Sequence, residues 1–424
     1  MCGVLRLDLN ADYDRVCELV NHHRTIRAML GHGAFNDESY HFQTLKDNVS
    51  LFTPELLDKI NQLVVAAGHV LVKKKDDEAL RGRCDSFVVE TAVHYPTDIN
   101  LLYDAMRKVI ELTAELCDGH GCSDWRQHAY NVRQLKRLLR AAQNQKRSKA
   151  QSQPRAEQRD ALIVQAHQDY LAVATKYLDK ARATLAMLQR QGLNGPLAVA
   201  MTLAIEGFMG HAARQIEQTR RRVIDGEVIP HAEKVLSIFE PHTEWISKGK
   251  AGVPVELGVK VCVLEDQHQF VLHHQVMERQ TDEQVTVSMV NEAKKRFPSL
   301  AGCSFDKGFH SRANQSALKD ALDLVVLPRK GKLSPQAQAL EQAPDFIKAR
   351  HQHSAVESAI NALEVHGLDR CPDHGIGGFK RYVALAVVAR NIHRIGAILW
   401  QREQARAQRK RKYSDRDTTY KLAA

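Results

Sequence analysis

The sequence predicts an α/β fold: a mixed sheet flanked by helices, preceded by a helical region and interrupted after its first strand by a large helical block. Three observations carry this. Runs rich in β-branched and aromatic residues occur at 81–93 and again from about 250 onward, where they alternate with helix-length segments. Between them, 99–236 holds long helical patterns with few breakers. At 424 residues the chain also exceeds what one hydrophobic core usually serves. The expected division is therefore N-terminal helices over 1–75, a first strand or hairpin within 76–98, a helical insertion over 99–240, the rest of the sheet domain over 241–400, and a basic tail over 401–424.

In chain order, 12–30 and 54–65 read as helices, the second opened by Thr53 as N-cap with Pro54 in first position. RGRCDSFVVETAV at 81–93 is bounded by Gly82 and Pro96 and predicts a strand or hairpin. LLYDAMRKVIELTAEL places apolar residues at 101, 102, 105, 106, 109, 110, 112 and 116, a helical stripe. VRQLKRLLRAAQNQKRSKAQSQPRAEQRD follows, basic at helical spacing before a polar, Pro-containing break. VPVELGVKVCVLED and HQFVLHHQVM predict a hairpin over a short acidic turn. Next come a helix at 281–297 capped by Thr281, a short strand ending at Asp306, a helix at 311–322, and a strand at 324–327 closed by Pro328. After a basic loop come a helix around 347–365, a Gly/Pro-rich turn and an apolar helix from 379 to about 401.

Composition narrows the function. Sixty Lys and Arg against fifty Asp and Glu give a net charge of +10, which favours a polyanionic partner such as nucleic acid or an anionic membrane surface. No uninterrupted run of about 18 apolar residues is visible, so no membrane span is expected. MCGVLRLDLNADYDRV acquires Asp before any apolar h-region, so it is not a signal peptide, and a cytoplasmic protein with reduced thiols is the expectation. Cys117, His120, Cys122 and His128 can be drawn as zinc ligands, but their spacing matches no standard site, and Asp118-Gly119 suits a helix-ending turn.

Cutting a phosphodiester with divalent ions needs a few carboxylates converging from rigid elements. Acids that interrupt apolar strands or end them are the candidates. Asp85 alternates with Phe87 and Val89 within its strand, and a buried unpaired carboxylate there is costly. Asp306 ends a strand before Lys307-Gly308, at the edge where sites on α/β sheets gather. Glu357 lies on a polar stripe with Arg350, His353, Asn361 and Glu364, opposite Val356, Ile360 and Leu363. Taken singly, each acid also suits a structural place: a solvent-side strand position, a turn, a solvated helix face. Asp98, Asp282 and Asp323 are rivals; the first two suit helix capping and the third the start of a strand.

RCDSFVVETAVHYPTDINLL, HTEWISKGKAGVPVELGVKV, SFDKGFHSRAN and RHQHSAVESAINALEVHGLDRCPDHGIGGFKRYVALAVVARNIHRIG together resemble the DDE transposases of bacterial insertion sequences, particularly the ISNCY-like group. The resemblance runs over about 5–400. It implies a ribonuclease H-like catalytic domain, whose strand order the chain matches if 99–240 is an insertion. It places the catalytic, metal-holding acids at Asp85, Asp306 and Glu357, with Mg²⁺ or Mn²⁺ as cofactor. It also implies inverted-repeat DNA ends and target DNA as substrates, a homo-oligomer on DNA, and a place at the nucleoid. Two departures stand out. Related transposases often carry Arg on the helix just before the glutamate and Lys or Arg seven residues after it, where this chain has His353 and Glu364. The chain also begins within what resembles the interior of the family's N-terminal helical region, which predicts a shortened DNA-binding part.

Phosphate contacts are expected from Arg133, Lys136, Arg137 and Arg140 on one helix, from Arg329, Lys330 and Lys332 in the basic loop, and from Arg350 and His353 beside the glutamate. Arg220, Arg221 and Arg222 form a further basic group. The alternatives are a non-catalytic DNA-binding relic that inhibits intact transposase, and a metal-dependent nuclease that cuts without strand transfer.

Overall fold

The computed structural model describes residues 1–33, 36–147, 153–193, 195–247 and 254–422. The chain forms two compact units, one made of Met1–Ala92 with His242–Ala424 and the other of Val93–Pro241. The inserted helical block is therefore a unit of its own. Residues 1–75, expected as a separate DNA-binding region, belong instead to the unit that carries the sheet.

In that unit the N-terminal helices are α1 (Cys2–Asp8), α2 (Tyr13–His22), α3 (Arg24–Met29), α4 (Phe42–Ser50) and α5 (Pro54–Leu71). The single helix expected over 12–30 is two, because His23 adopts extended backbone and accepts a hydrogen bond from the Ile26 N–H at 3.4 Å. Thr53 caps α5 as expected, accepting from the Leu56 N–H at 3.2 Å.

The sheet is built around β1 (Leu80–Thr91), one twelve-residue strand rather than a hairpin. β3 (Val255–Glu265) runs antiparallel to β1 from Arg83↔Glu265 to Glu90↔Gly258. β4 (Val271–Met277) closes the expected hairpin on the other edge of β3. β5 (Leu300–Phe305) pairs parallel with β1, and β6 (Leu324–Val326) parallel with β5. The order is β4-β3-β1-β5-β6, with β3 antiparallel to its neighbours. Two short strands that sequence reading did not find, β2 (Glu244–Ser247) and β7 (Arg370–Cys371), extend the lines of β4 and β5. Gly258 lets β3 approach β1: a Cβ there would lie 2.1 Å from the Val89 carbonyl oxygen.

Each face of the sheet is covered, as the alternation of β1 requires. Phe87, Val89, Val261 and Val263 pack against α15 (Gly375–Leu422), α14 (Ala355–Leu363), α1 and α5. Leu80, Cys84, Cys262 and Leu264 pack against α10 (Asp282–Arg296) and α11 (Arg312–Ala321). The helix expected around 347–365 is two helices joined at Ser354, α13 (Pro344–His353) and α14, and a short α12 (Pro335–Glu341) precedes them.

The other unit consists of α6 (Asp98–Asp118), α7 (His128–Arg147), α8 (Gln153–Arg190) and α9 (Pro196–Thr219), which continues into a wide turn over Arg220–Ile224. Its core includes Met106, Ile110, Trp125, Leu135, Tyr170 and Leu178, and the Trp125 indole N–H donates to the Thr184 hydroxyl at 3.0 Å.

The polar break expected after the α7 basic run falls partly on 148–152, the end of the HTEWISKGKAGV segment on 248–253, and both stretches lie outside the described residues. The tail continues α15 as helix to Leu422, and its side chains beyond 409 are likewise outside them. Against the expectation of no possible span, Pro196–Ile224 and Gly375–Arg409 are long and apolar enough to cross a membrane by length and composition. Half of the apolar window of Gly375–Arg409 is buried inside the fold, where Val383 to Ala389 pack on the sheet, so a core role accounts for its apolar character. All eight cysteines are free thiols.

Candidate active site

Along the face of β1 that packs on α14 and α15, the apolar row of Val89 and Phe87 gives way to Asp85 and Arg83. That change positions the site. β1 and β5 are parallel with Cys84 opposite Phe305, so Asp85 and Asp306 each stand one residue beyond the same rung. Two acids 221 positions apart in sequence are thereby brought side by side by strand register alone. Glu357, on the first turn of α14, reaches the same place, because α14 packs on β1 through its buried side, Val356, Ala359 and Leu363. A carboxylate on a first helical turn also suits the positive end of the helix dipole.

Electrostatics record the convergence. The Asp85 carboxyl is raised from 3.8 to about 6, first by burial and then by the negative charges of Asp306, Asp282 and Glu357, with the Ser86 N–H donating to Asp85 Oδ1 at 2.7 Å in opposition. Asp306 and Glu357 are exposed, Asp85 half-buried. The three sequence-predicted acids are thus brought together, with hard oxygen donors and crowded negative charge, which fits a divalent cation such as Mg²⁺ or Mn²⁺. They are not drawn into one tight cluster: among the described residues the only three groups whose ligand atoms all lie within 4.8 Å of one another are Asp8, His366 and His393. A two-ion site needs no such tightness, because acids serving different ions about 3.5–4 Å apart stand farther from each other than acids sharing one.

Neighbouring residues complete the picture, and several were missed in the sequence. Asp282 begins α10 and was read as a helix-end acid; it also accepts from the Ser86 hydroxyl at 2.6 Å and from Lys260 Nζ at 3.1 Å. Its first-turn position hid this second role. The end of α10 is organised by Gln284, whose side chain accepts from the Thr281 N–H at 2.9 Å. Arg83 is paired with Glu265 at 3.4 Å, and burial raises Glu265 to about 7. Period-2 spacing from Asp85 was the available signal for Arg83.

His353 does not act as the solvent-facing cation expected of it. Its Nδ1 lies 3.0 Å from the Ser304 hydroxyl, and burial lowers its pKa against the opposing charges of Asp306 and Glu357, so it is neutral near pH 7. Arg350 on α13 is exposed. In the basic loop, Lys330 Nζ donates to the Gly308 carbonyl at 3.0 Å, fixing a cation beside the turn that follows Asp306, while Lys332 is exposed and Arg329 half-buried. A cleft of about 280 Å³ opens beside these residues, lined among others by Arg81, Arg83, Ser304 and Gln352.

In the helical unit, Arg133, Lys136, Arg137 and Arg140 are all exposed along α7, opposite the buried Leu135, Leu139 and Ala142. The other basic group is different. Arg220 pairs with Glu217 and Asp225, Arg221 with Glu227 and Glu233, and Arg222 with Asp98 at 3.0 Å. Those arginines are spent on the fold. Asp98, the rival first acid, therefore has an arginine partner within its own unit, and the N-cap expected of it is Thr97, which accepts from the Asn100 N–H at 3.3 Å. Cys117 makes a poor thiolate ligand, since burial, foremost, pushes its thiol up to about 12, and His120 Nδ1 is occupied with the Leu116 carbonyl at 2.8 Å.

In comparisons with known proteins, no family model, no curated protein and no solved structure matches this chain.

Proposed function

We propose that the chain is a DDE-type transposase with a ribonuclease H-like catalytic unit, which cleaves the inverted-repeat ends of an insertion sequence and joins the freed 3′-hydroxyl to target DNA. The observation that carries this reading is the register of β1 and β5, which sets Asp85 beside Asp306 while α14 brings Glu357 to the same face. The succession along the chain of β1, the helical unit, β3, β4, α10, β5, α11 and β6 supports the ribonuclease H-like part, as it is the succession expected once the inserted helical unit is set aside.

In this reading Asp85, Asp306 and Glu357 hold Mg²⁺ or Mn²⁺. When bound, such ions activate the attacking oxygen and stabilise the leaving one. The chain's own groups do the rest. Asp85, whose carboxyl is raised to about 6, would have to be ionised to serve as a ligand, so metal affinity would fall as pH drops through 6. Neutral His353 and Ser304 hold each other beside the acids, and Lys330 and Arg350 offer positive charge to the DNA backbone, while Arg83 is held by Glu265. The exposed face of α7 adds sequence-independent, salt-sensitive affinity. Two ends must be handled together, so a homo-oligomer on DNA at the nucleoid belongs to the same proposal.

The test uses duplexes carrying the sequences that flank the gene, with Mg²⁺, scored for nicked ends and joined products. Cleavage and joining that vanish in Asp85→Asn, Asp306→Asn and Glu357→Gln, with DNA binding kept, support the reading. Binding without cleavage on a pair of true ends overturns it in favour of a relic, and cutting without joined products in favour of a nuclease.

A further inference from the structure

Away from the acids, α1 ends at Asp8, the turn Glu364–Leu368 carries His366, and α15 carries His393. One ligand atom from each lies within 4.8 Å of the other two. We infer that Asp8, His366 and His393 form a binding site for a borderline transition cation of the Zn²⁺ class, separate from the site of the three acids.

The donor set selects the metal. Imidazole nitrogens suit Zn²⁺ and its neighbours, whereas Mg²⁺ prefers all-oxygen ligands. Two histidines and one carboxylate, with a water completing the shell, form a recurrent zinc arrangement. The details favour ligation over an incidental ion pair. His366 Nδ1 lies 2.6 Å from the Asp8 carbonyl oxygen. Donation to that carbonyl puts the proton on Nδ1 and the lone pair on Nε2, the outer hydrogen bond typical of ligating histidines. Asp8 Oδ1 is 3.0 Å from His393 Nδ1, and the two imidazoles meet edge to face with centroids 4.8 Å apart.

The surroundings hold these groups in place. Gly367 has φ +91°, the left-handed region that lets the chain turn sharply after His366, and the Tyr382 hydroxyl donates to its carbonyl at 2.9 Å. Arg6, two residues before Asp8, is buried, paired with Asp373 at 3.0 Å and set over the Tyr13 and Tyr382 rings. His393 is 44% exposed, which leaves room for an entering ion and its water. An ion here ties together residues 8, 366 and 393, the N-terminal helix, the turn that ends the Glu357 helix and the long C-terminal helix. Binding to the folded chain alone raises its stability by mass action.

The experiment titrates the chelator-treated full chain with Zn²⁺ by calorimetry and with Co²⁺ by visible absorption, in excess Mg²⁺ so that the three acids are occupied. The expected result is one Zn²⁺ per chain, a tetrahedral Co²⁺ spectrum without a sulfur charge-transfer band, and a thermal upshift of several degrees that Mg²⁺ alone does not give. His393→Asn, at an exposed position where folding is not at risk, and His366→Gln should each weaken Zn²⁺ binding by at least about 100-fold. Zn²⁺ stoichiometry and thermal shift unchanged in both variants, or a sulfur band showing thiolate ligation, would overturn the proposal. Neither result depends on DNA cleavage, so the site and the transposase reading fail separately.

Discussion

Acidic residues of the sheet unit and arginines of the helical unit treat charge in opposite ways. Around Asp85, the carboxylates of Asp306, Asp282 and Glu357 crowd one half-buried acid until its pKa reaches about 6. Around Arg220–Arg222, every guanidinium faces one or two carboxylates, and the turn they occupy is sewn together by those pairs. Both regions look equally charged in the sequence. Charge left uncompensated by the fold is available to a ligand, whereas charge paired within it serves architecture. α7 shows the same contrast inside one unit, since its four exposed cations face outward over a row of buried leucines.

The largest effect that sharpens this contrast should come from the acids. Asp85→Asn or Glu357→Gln is expected to lower Mg²⁺-dependent end cleavage by at least about 100-fold, measured by initial rate at saturating DNA. Next is the α7 face. Replacing Arg133, Lys136, Arg137 and Arg140 with Gln should reduce the slope of log affinity against log salt by up to about 3 to 4, at roughly 0.9 per lost phosphate contact. An unchanged slope would place this face among the architectural charges.

Stability gives the third test, and its sign runs against activity. The Asp85 carboxyl is raised from 3.8 to about 6, so below pH 4 both folded and unfolded chains hold the proton. Between pH 4 and 6 only the unfolded chain loses it, and stability falls as pH rises. Above 6 the cost is complete. Asp85→Asn should therefore raise Tm by about 2–4 °C at pH 7.5 without divalent ions, with the gain vanishing near pH 4. The smallest effect is expected at the exposed pairs: Arg220→Gln should lower Tm slightly and leave the salt slope unmoved, because exposed ion pairs contribute little. A fall in slope equal to that of an α7 cation would break the distinction drawn above.

Much of the fold was legible locally. The hairpin of β3 and β4, the Thr53 cap and the stripe of α6 rest on neighbours within four residues or on period-2 alternation, and each formed where expected. Errors fell where a local signal was too short or too ordinary. β7 is two residues long and exists because it pairs with Glu90 and Thr91. His23 breaks a helix that hydrophobic periodicity alone continues. His353 looked like a solvated cation on a polar stripe, but the break at Ser354 and the Ser304 hydroxyl make it a half-buried neutral partner.

By itself the sequence determined the α/β class with a mixed sheet flanked by helices, and it offered Asp85, Asp306 and Glu357 as candidate acids, each of which also suited a structural place. Propensity, capping and alternation act over a few residues, so they survive in a single chain read in order. Only the tertiary structure decided which charges meet: that Asp85 stands beside Asp306, that Asp282 is held by Lys260, and that Arg222 takes Asp98. Those meetings depend on strand register and helix packing between segments many residues apart. Coulomb energy and desolvation depend on distance in space, which the order of residues does not contain.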